Sequence, residues 1–402
     1  MNSKSCRYFI REGQVAEELR KNVSSSHYIP KELGVKDVRN GYVLVSRRWN
    51  EDFLLEGGVV DSEMHYLEET GYADGGGCSY EFDVSNIEVG GKCVYLGLFH
   101  PVYGHAITDA LKRLWYLSTE EGRSLVKDRN VDIIYLTGGN VEIPKWHCEI
   151  LKLAGVDFSR IKNVTTTTKY SDIIIPDNSL FWDNGLLCYC EEFLNVIDSI
   201  KENVHNSSVY KSTYPLDLYF TRTALSYASD REVGEKEIES YFKSKGFSIV
   251  SPESLSIEEQ ISLLMKAKRF AATEGSCSHS SIFCDSSSEV IILRKANYIN
   301  QYSTMIADLV KCKTVYIDVH HSINVNARFP MCGPFYLCKT KELSQYFNEN
   351  IAPPYFLRFS WLAYRFSLKQ KLYEIRAFLG VRTRIMKIVN IFKHRSGGTT
   401  IW

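Results

Sequence analysis

A chain of 402 residues is longer than one ordinary hydrophobic core supports and suits two domains of roughly 150–200 residues. With 44% apolar and 24% charged residues, and Lys+Arg equal to Asp+Glu, it is neither a disordered chain nor a generically basic nucleic-acid binder. Its eleven cysteines are irregularly spaced and form no Cys-x-x-Cys, which argues against a disulfide framework or a zinc site and for reduced thiols in a cytoplasm. The segment from Met1 to Ser26 is polar, and no run of eighteen apolar residues occurs, so neither a standard export signal nor a membrane span is expected.

Apolar runs that read as strands alternate with helical patterns, the signature of a parallel α/β layout. The predicted strands are Tyr42–Val45, Cys93–Phe99, Val131–Leu136, Ile173–Ile175, Leu216–Phe220, Ser248–Val250, Arg269–Ala272, Val290–Leu293 and Thr314–Ile317. The predicted helices are Gly104–Leu117, Lys145–Ala154, Leu187–Glu202, Gly234–Lys245, Ile257–Lys266, His279–Phe283 and Ser303–Leu309. Between Asn203 and Tyr214 the pattern lapses into a polar, Ser-rich stretch that ends at Pro215, which places a domain boundary there. From Tyr355 to Trp402 ten Lys/Arg stand against one acid, Glu374, giving a formal charge of ten minus one, or +9. Aromatic and aliphatic residues at helical spacing interleave with these cations. The pattern predicts one or two basic amphipathic helices, suited either to packing on the body or to docking on anionic lipid.

Two stretches carry candidate chemistry. The first runs from Tyr103 to Leu114, directly after a strand ending near Pro101. On a helix, Ile107, Ala110, Leu111 and Leu114 form one stripe, and His105 and Asp109 lie one turn apart on the opposite side. A carboxylate that fixes the tautomer of an imidazole makes it a general base, whereas a merely wet polar face would do nothing. The second stretch runs from Leu218 to Lys295. Leu218-Tyr-Phe-Thr-Arg222 delivers a guanidinium at a strand tip, and Arg231 follows nearby; two arginines there suit a diphosphate, or else pair with structural acids. After the Arg269–Ala272 strand, Thr273-Glu-Gly-Ser-Cys-Ser-His-Ser-Ser-Ile-Phe283 forms a small-residue turn whose free backbone N–H groups suit an anion.

The sequence resembles glycosyltransferase family 61, in its bacterial capsular-polysaccharide branch. The resemblance rests on Tyr103-x-His105 with Asp109, Thr221-Arg222, Arg231-Glu-Val-Gly-Glu235, Gly246-Phe-Ser-Ile-Val-Ser-Pro-Glu253, Glu259-Gln260, and Glu274-Gly-Ser276 with His279 and Phe283, in order across about 190 residues. Val102 and Ala106 stand where the family usually has Asn and Phe, Gly234 replaces an Asn, and Glu274 replaces the more familiar His.

The resemblance implies a GT-B architecture of two Rossmann-like domains facing a cleft: residues 1–207 on the acceptor side, residues 208–345 holding a nucleotide sugar, and 346–402 as the basic helical tail. It further implies inversion at the anomeric carbon, with a glycan or lipid-linked glycan of the bacterial surface as acceptor. No Asp-x-Asp triplet occurs, in agreement with an enzyme of this kind that needs no metal or other cofactor. On this reading His105 is the base, oriented by Asp109, with Asp109 alone as the second choice. Arg222 and Arg231 meet the diphosphate, Glu235 lies beside them, and Gly275, Ser276 and His279 hold phosphate or ribose oxygens. Glu274 either accepts hydrogen bonds from donor hydroxyls or organises Arg222. The expected site is cytoplasmic, on the inner face of the plasma membrane. Two other functions fit the same pattern: a polysaccharide pyruvyltransferase using phosphoenolpyruvate, and a non-catalytic sugar-nucleotide-binding scaffold of a capsule assembly complex.

Overall fold

The computed structural model describes residues 6–49, 54–71, 79–85, 87–138, 141–211, 217–229, 231–320, 333, 335–349, 368, 371, 372 and 375. Nearly all of the basic tail predicted from residue 346 onward therefore lies outside the described residues. The chain folds as a mixed α/β protein with two main sheets.

One sheet has six strands, all parallel, in the spatial order Cys6–Phe9, Lys313–Asp318, Glu289–Arg294, Arg269–Thr273, Asp217–Phe220, Ser248–Val250. These strands are apolar almost without interruption: Leu218, Tyr219, Phe220, Phe270, Ala271, Ala272 and Ile291 are completely buried, as expected when helices cover both faces of a parallel sheet. Starting from Asp217–Phe220, the chain adds Ser248–Val250 on one side. It then returns to the other side for Arg269–Thr273 and continues outward. The direction of winding thus reverses between Asp217–Phe220 and Arg269–Thr273. At such a switch point the two following loops diverge, and a crevice opens beyond the carboxyl ends of the strands.

The second sheet has eight strands and is only partly parallel. Its path is Tyr66–Leu67, Leu54–Val60, Tyr42–Trp49, Thr168–Pro176, Glu88–Phe99, Val131–Thr137, Ile161–Asn163, with Val35–Arg39 antiparallel to Thr168–Pro176. Glu88–Phe99 runs parallel to both of its neighbours, whereas the strands from Val35 to Leu67 pair antiparallel. The parallel layout expected throughout therefore holds for one sheet and for one side of the other. Antiparallel pairing of Tyr42–Trp49 with Leu54–Val60 follows from their short connection, since a parallel pair needs a crossover of a dozen residues or more.

Helices Lys145–Leu153, Glu191–His205 and Ile257–Lys266 pack on one another, and a continuous apolar cluster reaches from Val94 and Ile133 in the mixed sheet to Leu218 and Phe270 in the parallel one. Ile257–Lys266 starts as predicted because Ser256 accepts from the Glu259 N–H at 3.2 Å while Glu259 accepts from the Ser256 N–H at 2.8 Å, a reciprocal cap. Leu187–Glu202 begins differently from expectation. Leu186–Tyr189 is a strand paired with Leu180–Asp183, and the helix runs from Glu191 to His205. No described helix is long and apolar enough to cross a membrane.

Gly234 caps the Glu235–Ser244 helix with φ +98°, and a Cβ there would stand 2.0 Å from the Leu337 carbonyl oxygen. An Asn here would tolerate the left-handed backbone but would meet this same carbonyl; the short pairing of Glu232–Val233 with Phe335–Tyr336 explains the glycine. Gly234→Ala should accordingly destabilise the protein by at least about 2 kcal/mol, through left-handed strain and displacement of Leu337. Chemical denaturation measures this, and an unchanged midpoint would refute the packing argument.

Candidate active site

The first motif follows the Glu88–Phe99 strand, but not as the single helix Gly104–Leu117 expected from its periodicity. Tyr103–Ala106 is one helical turn, and Asp109–Leu111 and Leu114–Ser118 are 3-10 turns. Thr108 breaks the run with φ −129° and ψ −82°, and its hydroxyl donates to the Gly104 carbonyl at 2.8 Å. The predicted stripe of Ile107, Ala110, Leu111 and Leu114 is buried. Asp109 is buried as well, at 7% exposure, so this side of the segment is not a wetted face.

His105 Nδ1 lies 2.7 Å from Asp109 Oδ2. The Tyr302 hydroxyl shares its one proton between the two Asp109 oxygens, 2.9 Å from Oδ2 and 3.2 Å from Oδ1, and the Thr108 hydroxyl lies 3.2 Å from Oδ2. Burial alone would raise the Asp109 carboxyl. The hydrogen bond from His105 and the charges of His105 and Lys112 outweigh that and hold it below its ordinary range. A carboxylate accepting at Nδ1 fixes the neutral ring with its lone pair on Nε2, which is the form a general base requires. His105 keeps 23% of its side chain exposed, and its ring is flanked by His100 at 5.0 Å and Tyr302 at 5.8 Å.

The turn after Arg269–Thr273 meets this segment directly. A Cβ on Gly104 would come within 2.9 Å of both Ser276 Oγ and His279 Nδ1. Asn300 donates from Nδ2 to His279 Nε2 at 3.2 Å, while its Oδ1 accepts from the backbone of Tyr302 and Ser303 and caps the Gln301–Val310 helix. The His279 proton therefore sits on Nδ1, facing Gly104. Burial, with the His105 charge next, lowers His279 to about 3, so its ring stays neutral. Gly275 holds φ +118° and ψ −155°, a conformation confined to glycine, and thereby turns the chain sharply out of the strand.

Across the switch point, Arg222 follows the Asp217–Phe220 strand. Its backbone N–H donates to Glu235 Oε1 at 2.9 Å, and its guanidinium donates to Glu232. Lys295, at the end of Glu289–Arg294, donates to the same Glu232 oxygen at 2.7 Å. Its Nζ lies 3.4 Å from the place a Gly275 side chain would fill. Burial raises the Glu232 carboxyl, but Lys295 and Arg222 outweigh it and keep the group ionised. Burial, then the neighbouring Glu232 charge, pushes Glu235 up to about 8. Arg231 is exposed and adds its charge to those acting on Glu232. Glu274 is 1% exposed, and burial pushes it up to about 7 against the pull of Arg294 and Lys295.

The structure thus sets the segment bearing His105 and Asp109 against Ser276 and His279, with Gly104 at the point of approach. Arg222 and Glu235 form a second group, with the Gly275 turn lying between the two. Glu274 makes no hydrogen bond to Arg222 among the described residues; both of its oxygens, Thr273 Oγ1, Glu232 Oε2 and His279 Nδ1 are buried without a partner. Each such atom costs about 1–3 kcal/mol while unsatisfied. Sequence reasoning missed Glu232, Lys295, Asn300 and Tyr302. Glu232 lies inside the Arg231–Glu235 motif, and Lys295 follows the apolar Glu289–Arg294 strand; in the sequence both are charges without a partner to explain them. A surface hollow lined by Leu117, Arg123, Val156 and Arg160 contains none of these groups.

Two measurements test the site's packing and electrostatics. Gly104→Ala should reduce turnover at least about tenfold while leaving a folded protein, because the added methyl separates Ser276 and His279 from His105; unaltered turnover would show that the close approach is immaterial. A carboxyl raised in the folded state stabilises the fold below its unfolded value near 4.5 and loses that contribution as pH climbs through about 8. Above about pH 7, where the buried neutral histidines such as His279 no longer oppose it, the melting temperature should fall towards about pH 8.5, and Glu235→Gln should flatten that slope, Glu274 supplying the remainder. An identical slope in the variant would remove Glu235 from the account.

Residues 103–291 match the family model Glycosyltransferase 61, a span that contains the first motif region and the second as far as Ile291, inside the Glu289–Arg294 strand. No curated protein matches the chain. The matched region covers His105, Asp109, Arg222 and the Glu274–His279 turn, and its likeness to glycosyltransferase family 61 supports reading the protein as a glycosyltransferase enzyme.

Proposed function

We propose that the protein is an inverting glycosyltransferase that binds a nucleotide sugar at the switch point of the parallel sheet and transfers its sugar to a hydroxyl presented by the side bearing His105. The observation that carries the reading is topological. Arg222 and the Glu274–Ser276 turn follow the two strands, Asp217–Phe220 and Arg269–Thr273, between which the winding reverses, and His279 ends the turn against Gly104. Arg222 and Arg231 meet the diphosphate, Glu235 fixes the Arg222 backbone, and Gly275, Ser276 and His279 contact phosphate or ribose oxygens. Glu274, with two buried unpartnered oxygens, accepts hydrogen bonds from the donor's hydroxyls. The two sheets correspond to the two halves of a GT-B enzyme.

In the transfer step the acceptor oxygen forms a bond to the anomeric carbon from the face opposite the leaving group. The bond from that carbon to the phosphate oxygen breaks, and its electron pair leaves with the nucleoside diphosphate. The acceptor proton passes to His105 Nε2, while Nδ1–H stays on Asp109, which stabilises the imidazolium as it forms. Fixed cations balance the departing charge, so no metal or other cofactor is required. Acceptors fitting this reading are growing glycans or lipid-linked glycans of a bacterial capsule, O-antigen or exopolysaccharide. The basic segment from Tyr355 to Trp402 would hold the enzyme to the anionic inner face of the plasma membrane in the cytoplasm.

A thermal-shift screen against a panel of nucleotide sugars identifies the donor. With it, His105→Ala should lower kcat by about 10²–10⁴-fold with donor affinity nearly unchanged. Arg222→Ala should weaken donor binding about ten- to a hundredfold. Turnover should persist in excess EDTA, and truncation after Gly380 should abolish salt-sensitive binding to anionic vesicles while sparing nucleotide binding. Full activity of His105→Ala, or release of phosphate from phosphoenolpyruvate in place of nucleoside diphosphate from a nucleotide sugar, would overturn the reading.

A further inference from the structure

The carboxylate behind the proposed base is held from both sides of the molecule. His105 and Thr108 reach Asp109 from its own segment, and Tyr302, the second residue of the Gln301–Val310 helix, reaches it from 193 residues away. Tyr302 is itself fixed. Its backbone N–H donates to Asn300 Oδ1 at 3.1 Å, its ring lies edge-on to His105, and it packs against His279 with ring centres 5.4 Å apart. Asn300 also holds His279, so one helix cap aligns both a ring of the Glu274–His279 turn and the hydroxyl that reaches Asp109.

We propose that Tyr302 is a positioning residue of the transfer reaction: through its hydroxyl it orients and partly neutralises Asp109, and so sets the aim and the basicity of His105 from the donor-binding side of the molecule. This rests on the reading of His105 as base. A carboxylate bonded to imidazole alone can rotate about its terminal torsion. Donors on both oxygens remove that freedom. The Tyr302 hydrogen bonds also draw negative charge away from the His105 side. Without them the imidazolium is better stabilised, and the base deprotonates at higher pH. The groups facing the pair are Lys112 on the same segment, His100 from the preceding loop, His279 from the turn and Tyr302 from the helix. The Tyr302 hydroxyl lies within hydrogen-bond distance of both Asp109 oxygens.

The test is Tyr302→Phe in the full chain, which keeps the ring contacts and removes the hydroxyl. The expected result is a kcat about tenfold lower with an unchanged donor KM, and an acidic limb of the kcat/KM profile moved up by about half to one pH unit. In an Asp109→Asn background the same change should leave the limb where it is, because no carboxylate remains to be tuned. A profile unmoved by Tyr302→Phe, or moved equally with and without Asp109, overturns the proposal while leaving the base assignment standing. Full activity of His105→Ala removes the base itself and is a separate result. Should Tyr302→Phe not fold, 3-fluorotyrosine at position 302, a stronger donor of nearly the same shape, should move the limb downward; no movement overturns the proposal.

Discussion

Gly104 has no side chain, and the space one would need is already taken by Ser276 and His279. This single close approach decides how the strand-following segment of the mixed sheet stands against the turn of the parallel sheet. Because it is a contact of backbone with side chain at van der Waals distance, it leaves little slack, and packed interiors do not deform continuously. The Asp109–Tyr302 hydrogen bonds, the flanking of the His105 ring and the capping by Asn300 all lie within this seam. A site assembled in this way inherits its precision from packing that neither half possesses alone.

Charge in the other half of the site is arranged by a different device. Glu232 is nearly inaccessible and holds both Arg222 and Lys295 through one oxygen. A buried carboxylate between two cations is a weak source of stability, since desolvation consumes most of the attraction. Its stronger effect is to place two positive groups at defined positions beside the Gly275 turn. Glu235 and Glu274, both displaced toward neutrality by burial, limit the opposing negative charge near pH 7. The cluster therefore presents more positive charge than a count of its acids and bases suggests.

Much of the parallel sheet could be read from the sequence, because its strands are short uninterrupted apolar runs between amphipathic helices. Ser248–Val250 and Ile257–Lys266 coincide with their predicted limits. Elements defined by distant partners were not legible. Cys6–Phe9 is half-buried, polar at Arg7, and becomes a strand only through Lys313–Asp318. Val35–Arg39, with four exposed residues, depends in the same way on Thr168–Pro176. Periodicity gave the buried stripe of the 104–114 segment but not its break at Thr108, where a side-chain hydrogen bond overrides helix propensity. In the site, residues within motifs could be seen, whereas Tyr302 and Asn300 could not: the local sequence around Asn300 signals a helix cap and nothing about His105.

The pairing of Cys6–Phe9 with Lys313–Asp318 joins positions separated by about 300 residues. During synthesis at about 5–20 residues per second, the early strand would wait some fifteen seconds to a minute for its partner to leave the ribosome. Until then its amide and carbonyl groups stay unpaired, and the outer edge of the parallel sheet is open. Arg7, which in the finished fold lies over the rings of Phe9 and Tyr346, supplies a charge on that waiting strand. A cation on an unpaired strand discourages association with strands of neighbouring chains. At this edge the strand that is made earlier must therefore wait for the one made later before it finds its place.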